Sequence, residues 1–249
     1  MERGHSCPRL LKRGLENPRS IREQNNMGTI TQISARDGHT LDAYLARPTN
    51  EPRGAIVIAQ EMYGVTSYLR DACDFYAAQG YLTIAPALYD RRQRGLILEY
   101  TKANHDLAQT IYKSWNWEHA LDDLDAGKNV VLQAGKVAIV GFCWGGTLAW
   151  LAACRRDYAG AVAYYGSMMP DFALETSRCP VIAHIGSADT TMPQERIELF
   201  HQAQPTVPIN MYPGAQHGFD NPSRTDRHHH EACQLARERA LEFLARHVG

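Results

Sequence analysis

The chain has 249 residues, 44% hydrophobic and 21% charged, with a formal net charge of −1. That length suits one well-buried domain and is short for two, and the near-neutral charge removes the electrostatic case for nucleic acid or an anionic membrane surface as partner. The cysteines Cys7, Cys73, Cys143, Cys154, Cys179 and Cys233 show no C-x-x-C pair and no zinc-like spacing, so reduced thiols in a cytoplasmic compartment are expected, without disulfides.

Residues 1–26, MERGHSCPRLLKRGLENPRSIREQNN, are Arg-rich and hold no apolar stretch long enough for secretion. Glu2, Glu16 and Glu23 speak against an organelle transit peptide. The segment reads as a disordered extension or as residues upstream of a start at Met27, with one folded domain over 27–249. From there the apolar pattern has period two: TITQIS, a turn at Arg36-Asp37-Gly38, and LDAYLARP predict a β-hairpin closed by Pro48. GAIVIA (54–59) is a continuous apolar run, the mark of a strand buried on both faces, and ends in the polar break Gln60-Glu61-Met62-Tyr63-Gly64.

Thr66 to Gln79 has helical spacing with Gly80 as its stop, and Tyr81 to Ala85 is the next strand, followed by the loop Pro86 to Arg91. Residues 93–116 read as loop plus helix, and Trp117 to Leu132 as helix. Beyond Cys154, strands are expected at Ala161 to Tyr165, Val181 to Gly186 and Ile209 to Tyr212, and helices at Gln194 to Ala203 and His230 to His247. Strands alternating with helices predict an α/β fold, a mostly parallel central sheet with helices on both faces and an N-terminal β-hairpin.

Between these halves lies KVAIVGFCWGGTLAWLAAC, from Lys136 to Cys154. Val137 to Val140 reads as a strand, Gly141, Gly145 and Gly146 as a tight turn, and Thr147 to Cys154 as an apolar helix. A nucleophile at the apex of such a strand, turn and helix forms a nucleophile elbow, here with Cys143 in place of serine. Glycines flank the apex because the backbone is strained and the elements pass too close for a Cβ. The run touches the lower length limit of a membrane span, but its central glycines suit a turn, and no membrane association is expected.

In a parallel sheet, ligands collect at the carboxyl ends of the strands. Glu61, Arg91, Cys143, Asp189 and His217 all fall there. Asp189 follows the strand VIAHIG and His217 the strand INMY, so nucleophile, acid and histidine occur in the chain order of α/β-hydrolases. Singly, a loop histidine is a surface residue and a turn aspartate bonds its own backbone; together and in this order they make a triad. The Trp144 amide, at the start of the elbow helix, is aimed at a developing oxyanion. A carboxylate at Glu61 raises the proton affinity of a neighbouring thiol and protects it from oxidation. Arg91, in Arg91-Arg92-x-Arg94, is either a bidentate clamp for a substrate carboxylate or part of a solvated basic patch. His228-His229-His230 with Cys233 lack any metal-binding spacing and read as a solvated helix start.

Gly141-Phe142-Cys143-Trp144-Gly145-Gly146 with Leu148-Ala149 resembles the elbow of the dienelactone hydrolase (carboxymethylenebutenolidase) family. Gln60-Glu61-x-x-Gly64, Pro86-x-Leu88-Tyr89-x-Arg91, the Asp189 loop and His217-x-Phe219 match its other motifs in order, over about Thr29 to the C-terminus. The resemblance implies an α/β-hydrolase fold and hydrolysis of a small-molecule carboxylic ester or lactone through Cys143, His217 and Asp189. It assigns the second oxyanion amide to Met62, gives Glu61 a part in substrate-dependent thiol activation, and favours Arg91 as the carboxylate clamp. At the two positions where the family carries a polar residue after the histidine and an arginine four residues beyond it, this chain has Gly218 and Asn221. The chemistry calls for no cofactor and no metal, and a monomer or weak dimer is expected. The alternatives are a general carboxylesterase or thioesterase without a carboxylate requirement, and a non-catalytic hydrolase-like binding or thiol redox protein.

Overall fold

The period-two stretch forms an antiparallel hairpin of β1 (Gly28–Ser34) and β2 (Thr40–Ala46), with Ser34 opposite Thr40. This computed structural model describes residues 28–249; the expectations for residues 1–26 and for a domain start at Met27 lie outside them. Six further strands join the hairpin: β3 (Ala55–Ala59), β4 (Leu82–Pro86), β5 (Val137–Phe142), β6 (Gly160–Tyr164), β7 (Val181–Gly186) and β8 (Ile209–Tyr212). Their order is β1-β2-β4-β3-β5-β6-β7-β8. β2 meets β4 antiparallel, and every later pairing is parallel.

Successive Cβ atoms of a strand point to opposite faces, and the parallel strands are apolar on both. Ala55, Val57, Val137, Ile139, Ala161 and Ala163 pack under α3 (Trp117–Val131), α4 (Trp144–Arg155) and α5 (Gln194–Ala203). Ile56, Ile58, Val140, Val162 and Tyr164 pack under α1 (Ser67–Ala78) and α6 (His230–His247). Helix α4 is buried from Trp144 to Cys154, as a helix apolar all round must be in the core of a protein. Burial of Leu148 and of Leu151 stabilises the fold by about 1.5–3 kcal/mol each. Among the described residues no helix is long and apolar enough to cross a membrane.

Several boundaries differ from the sequence reading by a residue or two, and two of the differences shape the site. Helix α4 begins at Trp144, not Thr147, because Cys143 alone makes the turn and the Gly146 amide already bonds the Cys143 carbonyl at 2.9 Å. Strand β6 stops at Tyr164 because Tyr165 swings to φ 39°. The 93–116 segment is a loop followed by α2 (Lys102–Lys113), whose first turn is capped by the Thr101 side chain accepting from the Asn104 amide at 3.3 Å.

Candidate active site

Because β3, β5, β7 and β8 run parallel, the loops leaving their carboxyl ends share one edge of the sheet. Central strand β5 delivers Cys143 there with φ 57° and ψ −117°, a left-handed conformation that a non-glycine residue holds only when its surroundings dictate it. They do. The Cys143 amide donates to the Tyr164 carbonyl at 3.0 Å. A Cβ on Gly141 would lie 1.8 Å from the Gly145 carbonyl oxygen, and one on Gly145 would lie 2.1 Å from that of Ala59. Strand, helix and the β3 loop therefore touch backbone to backbone, and the thiol is left half-buried at the mouth of α4.

The loop after β7 supplies Asp189, whose Oδ1 accepts from the Thr191 amide at 2.8 Å and the Thr191 hydroxyl at 2.7 Å. Its Oδ2 accepts from His217 Nδ1 at 2.8 Å. Thr191 Oγ1 lies 2.9 Å from the same nitrogen and can share its proton. With Nδ1 so engaged, the other ring nitrogen is left for the Cys143 sulfur, which lines the same cavity and interacts electrostatically with the ring. Burial opposes charge on His217, yet the sulfur and the Asp189 carboxylate outweigh it and push its pKa up to about 10. Burial would raise the Asp189 carboxyl, but the bonds from His217 and Thr191 hold it below the ordinary aspartate value. Imidazole and carboxylate are thus hydrogen-bonded to each other, with the sulfur in the same cavity.

Tyr165 packs its ring edge-on against His217, with centroids 4.9 Å apart. Its hydroxyl, and that of Tyr68 at 2.6 Å, donate to the buried Asp220. Its left-handed backbone, at φ 39°, stores about 1–3 kcal/mol of strain, where the sequence reads only the last residue of a strand.

Glu61 and Met62 sit in the loop after β3. The Met62 carbonyl accepts from the Tyr89 hydroxyl at 2.7 Å, which fixes that peptide, and Met62 lines the same cavity as Cys143. The Trp144 indole is buried in an aromatic cluster with Tyr89, Tyr112, Trp115 and Trp117, leaving only its backbone for the site. Glu61 is 6% exposed, and its burial drives its pKa up to about 7. The Tyr100 hydroxyl donates to Glu61 Oε1, and Thr66 Oγ1 lies 3.5 Å from the same oxygen.

Arg91 is not brought to this cavity. Its Nε and one terminal nitrogen each contact Asp123 at 2.7 Å, and the other terminal nitrogen bonds Asp37 at 2.7 Å. The expected carboxylate clamp is instead a structural ion pair joining the loop after β4 to α3 and the hairpin turn, because a buried Asp123 demands a cation. The arginines that line the cavity are Arg196, Arg224 and Arg227. Arg196 is paired with Asp171 at 2.8 Å, and Arg224 and Arg227 share the exposed Asp226.

The cavity holds about 570 Å³, within the usual range for a small-molecule site. One wall is α2, which contributes His105, Gln109, Tyr112 and Lys113. That wall came from the segment whose course the sequence did not reveal. Among the described residues, no three His, Cys, Asp or Glu side chains are placed to hold a metal. His229 caps α6 with its ring nitrogen on the Ala232 amide.

The model of the dienelactone hydrolase family matches residues 41–248. A carboxymethylenebutenolidase of Pseudomonas putida is 31% identical over 223 residues, covering 86% of this chain and 94% of its own length. A protein of Yersinia pestis assigned to the same activity is 34% identical over 231 residues, covering 84% of this chain and 85% of its own. Among solved structures, a Klebsiella pneumoniae protein assigned as a dienelactone hydrolase superposes with a TM-score of 0.79 at 30% identity, covering 88% of this chain and 98% of that one.

Proposed function

The chain belongs to the dienelactone hydrolase family, whose members hydrolyse esters and lactones, and from that premise we propose that it works through Cys143, His217 and Asp189 by way of a thioester. The observation that carries this reading is the Asp189 carboxylate hydrogen-bonded to His217, in one cavity with the sulfur at the elbow apex, whose charge raises the proton affinity of that ring. A thiol is mostly protonated at neutral pH, and the imidazole beside it takes that proton. Asp189 fixes the tautomer and stabilises the imidazolium.

The thiolate attacks the ester or lactone carbonyl, and the amides of Trp144 and Met62 receive the oxyanion. Loss of one such donor costs about two to three orders of magnitude in kcat. The imidazolium gives its proton to the departing alkoxide, and the thioester remains. Water, deprotonated by His217, attacks it; the acid leaves and the sulfur recovers its proton. Glu61 opposes idle thiolate while ionised and takes part in thiol activation when substrate binds. Every step uses side chains, backbone amides and water.

The locked guanidinium of Arg91 supports the broader of the two hydrolase readings, in which hydrolysis does not require a carboxylate held by Arg91. A redox reading lacks a partner thiol: among the described residues Cys143 alone of the cysteines lines the cavity, and burial pushes the Cys154 thiol up to about 12. The five cysteines among the described residues are all free, which supports the proposal of a reducing, cytoplasmic compartment. The test is hydrolysis of 4-nitrophenyl esters and enol lactones by Cys143→Ala. Activity should be abolished, and retained turnover would remove the proposal.

A further inference from the structure

The Glu61 carboxyl is enclosed by the loop before α2, the loop after β8 and its own loop, and one residue ties these together. The Tyr100 hydroxyl donates to Glu61 Oε1 and accepts from Asn221 Nδ2 at 2.8 Å, with Thr66 Oγ1 3.3 Å away. The Tyr100 ring is fixed on both sides. Tyr63 meets it edge-on at 4.7 Å, and the Arg224 guanidinium lies over it at 5.3 Å. Asn221, four residues beyond His217, stands where the sequence pattern of the family has an arginine. In this chain the buried carboxyl is thus gripped by a neutral phenol that an amide holds in turn.

We propose that Tyr100, backed by Asn221, is a positioning residue that holds the Glu61 carboxyl and sets its proton affinity, and thereby the pH at which the site becomes competent. This rests on the reading of Glu61 as part of thiol activation. A phenol can only donate to a carboxylate, so its bond favours the ionised form. Burial and the Asp220 carboxylate favour the protonated form, while Arg224 and His217 oppose it. Tyr63, Tyr89, Tyr165, Thr66 and Cys143 also face it, and among the described residues no cation is in direct contact with Glu61. With the phenol gone, only the 3.5 Å contact to Thr66 would remain, and the carboxyl would keep its proton to higher pH.

Tyr100→Phe tests this, since it retains the ring with its Tyr63 and Arg224 contacts and removes only the hydroxyl. Protonation of Glu61 can be followed in the full-length protein by the infrared C=O stretch of a protonated carboxyl. Subtracting the spectrum of Glu61→Gln at each pH separates Glu61 from Asp220. The expected midpoint is near 7 in the wild type. It should move up by about one pH unit in Tyr100→Phe, the scale of one hydrogen bond to a charged group. Asn221→Ala should move it the same way by less. The acid limb of kcat/KM should shift in parallel in Tyr100→Phe, with an unchanged alkaline limb, a pattern that loss of stability would not produce. An unmoved midpoint would overturn the proposal, and so would a moved midpoint with an unmoved acid limb. The infrared midpoint needs no turnover, so this outcome is independent of whether Cys143→Ala loses activity.

Discussion

Replacing Arg91 by Met separates a structural ion pair from a substrate clamp. The Asp123 side chain is fully buried and receives two bonds of 2.7 Å from Arg91, itself only 12% exposed. Removing the guanidinium while keeping the stem's volume strands a buried carboxylate, which costs about 3–5 kcal/mol. For a chain of this size each kcal/mol moves Tm by about 2–4 °C, so a fall of about 6–20 °C at pH 7 is expected. The pH dependence follows from Asp123. Burial already holds its pKa above the ordinary value, against the pull of Arg91, and without Arg91 it rises further. A carboxyl whose folded pKa is raised loses stability as pH climbs from the unfolded pKa of about 3.9 through the folded one. The variant should therefore regain part of its deficit between pH 7 and pH 5.

The assay pairs thermal denaturation at both pH values with kcat/KM for a carboxylated ester and its uncharged analogue. Equal change on the two substrates, with the large drop in Tm, is the expected result. Arg91→Met combined with Asp123→Leu should recover most of the lost stability, since the buried charge is then gone. An unchanged Tm together with a selective loss on the carboxylated substrate would refute the reasoning and restore Arg91 as a clamp.

Gly145→Ala would place a methyl 2.1 Å from the Ala59 carbonyl oxygen and 2.7 Å from that of Gln60, both backbone atoms. It should lower stability by about 3 kcal/mol or more and abolish hydrolysis; a melting curve matching the wild type would contradict the close elbow packing. Asp189→Asn removes the acceptor that fixes the His217 Nδ1 proton. In Ser-His-Asp triads the corresponding change lowers kcat by about 10⁴, and a loss of that order is expected here in steady-state assays. A loss under tenfold would show that the carboxylate does not orient the ring.

The fold was legible, and so were the residues proposed as the triad, because both rest on local signals. Continuous apolar runs mark strands buried on two faces, glycines mark the elbow, and Cys143, Asp189 and His217 each follow a strand end in one order. The side chains that finish the site were not, because they are assembled by tertiary packing. Tyr100, His105 and Lys113 come from a loop and a helix whose placement depends on what they cover. Tyr165 reads as the last residue of a strand until its backbone reverses. Arg91 shows the converse failure, since its spacing leaves clamp and basic patch open, the family resemblance favours the clamp, and nothing local shows that Asp123 and Asp37 converge on it. Thr191, two residues from Asp189, could have been found by asking which neighbours satisfy a buried carboxylate.

The chemical claim comes down to one covalent bond, an acyl group carried on the sulfur of Cys143. Mixing the enzyme with excess 4-nitrophenyl acetate, quenching in acid within the first turnovers and mapping the acyl mass by peptide sequencing tests it directly. The account predicts a single acetylated site at Cys143, discharged by neutral hydroxylamine and missing in Cys143→Ala. An acyl group found on another residue, or turnover persisting in Cys143→Ala, would contradict it.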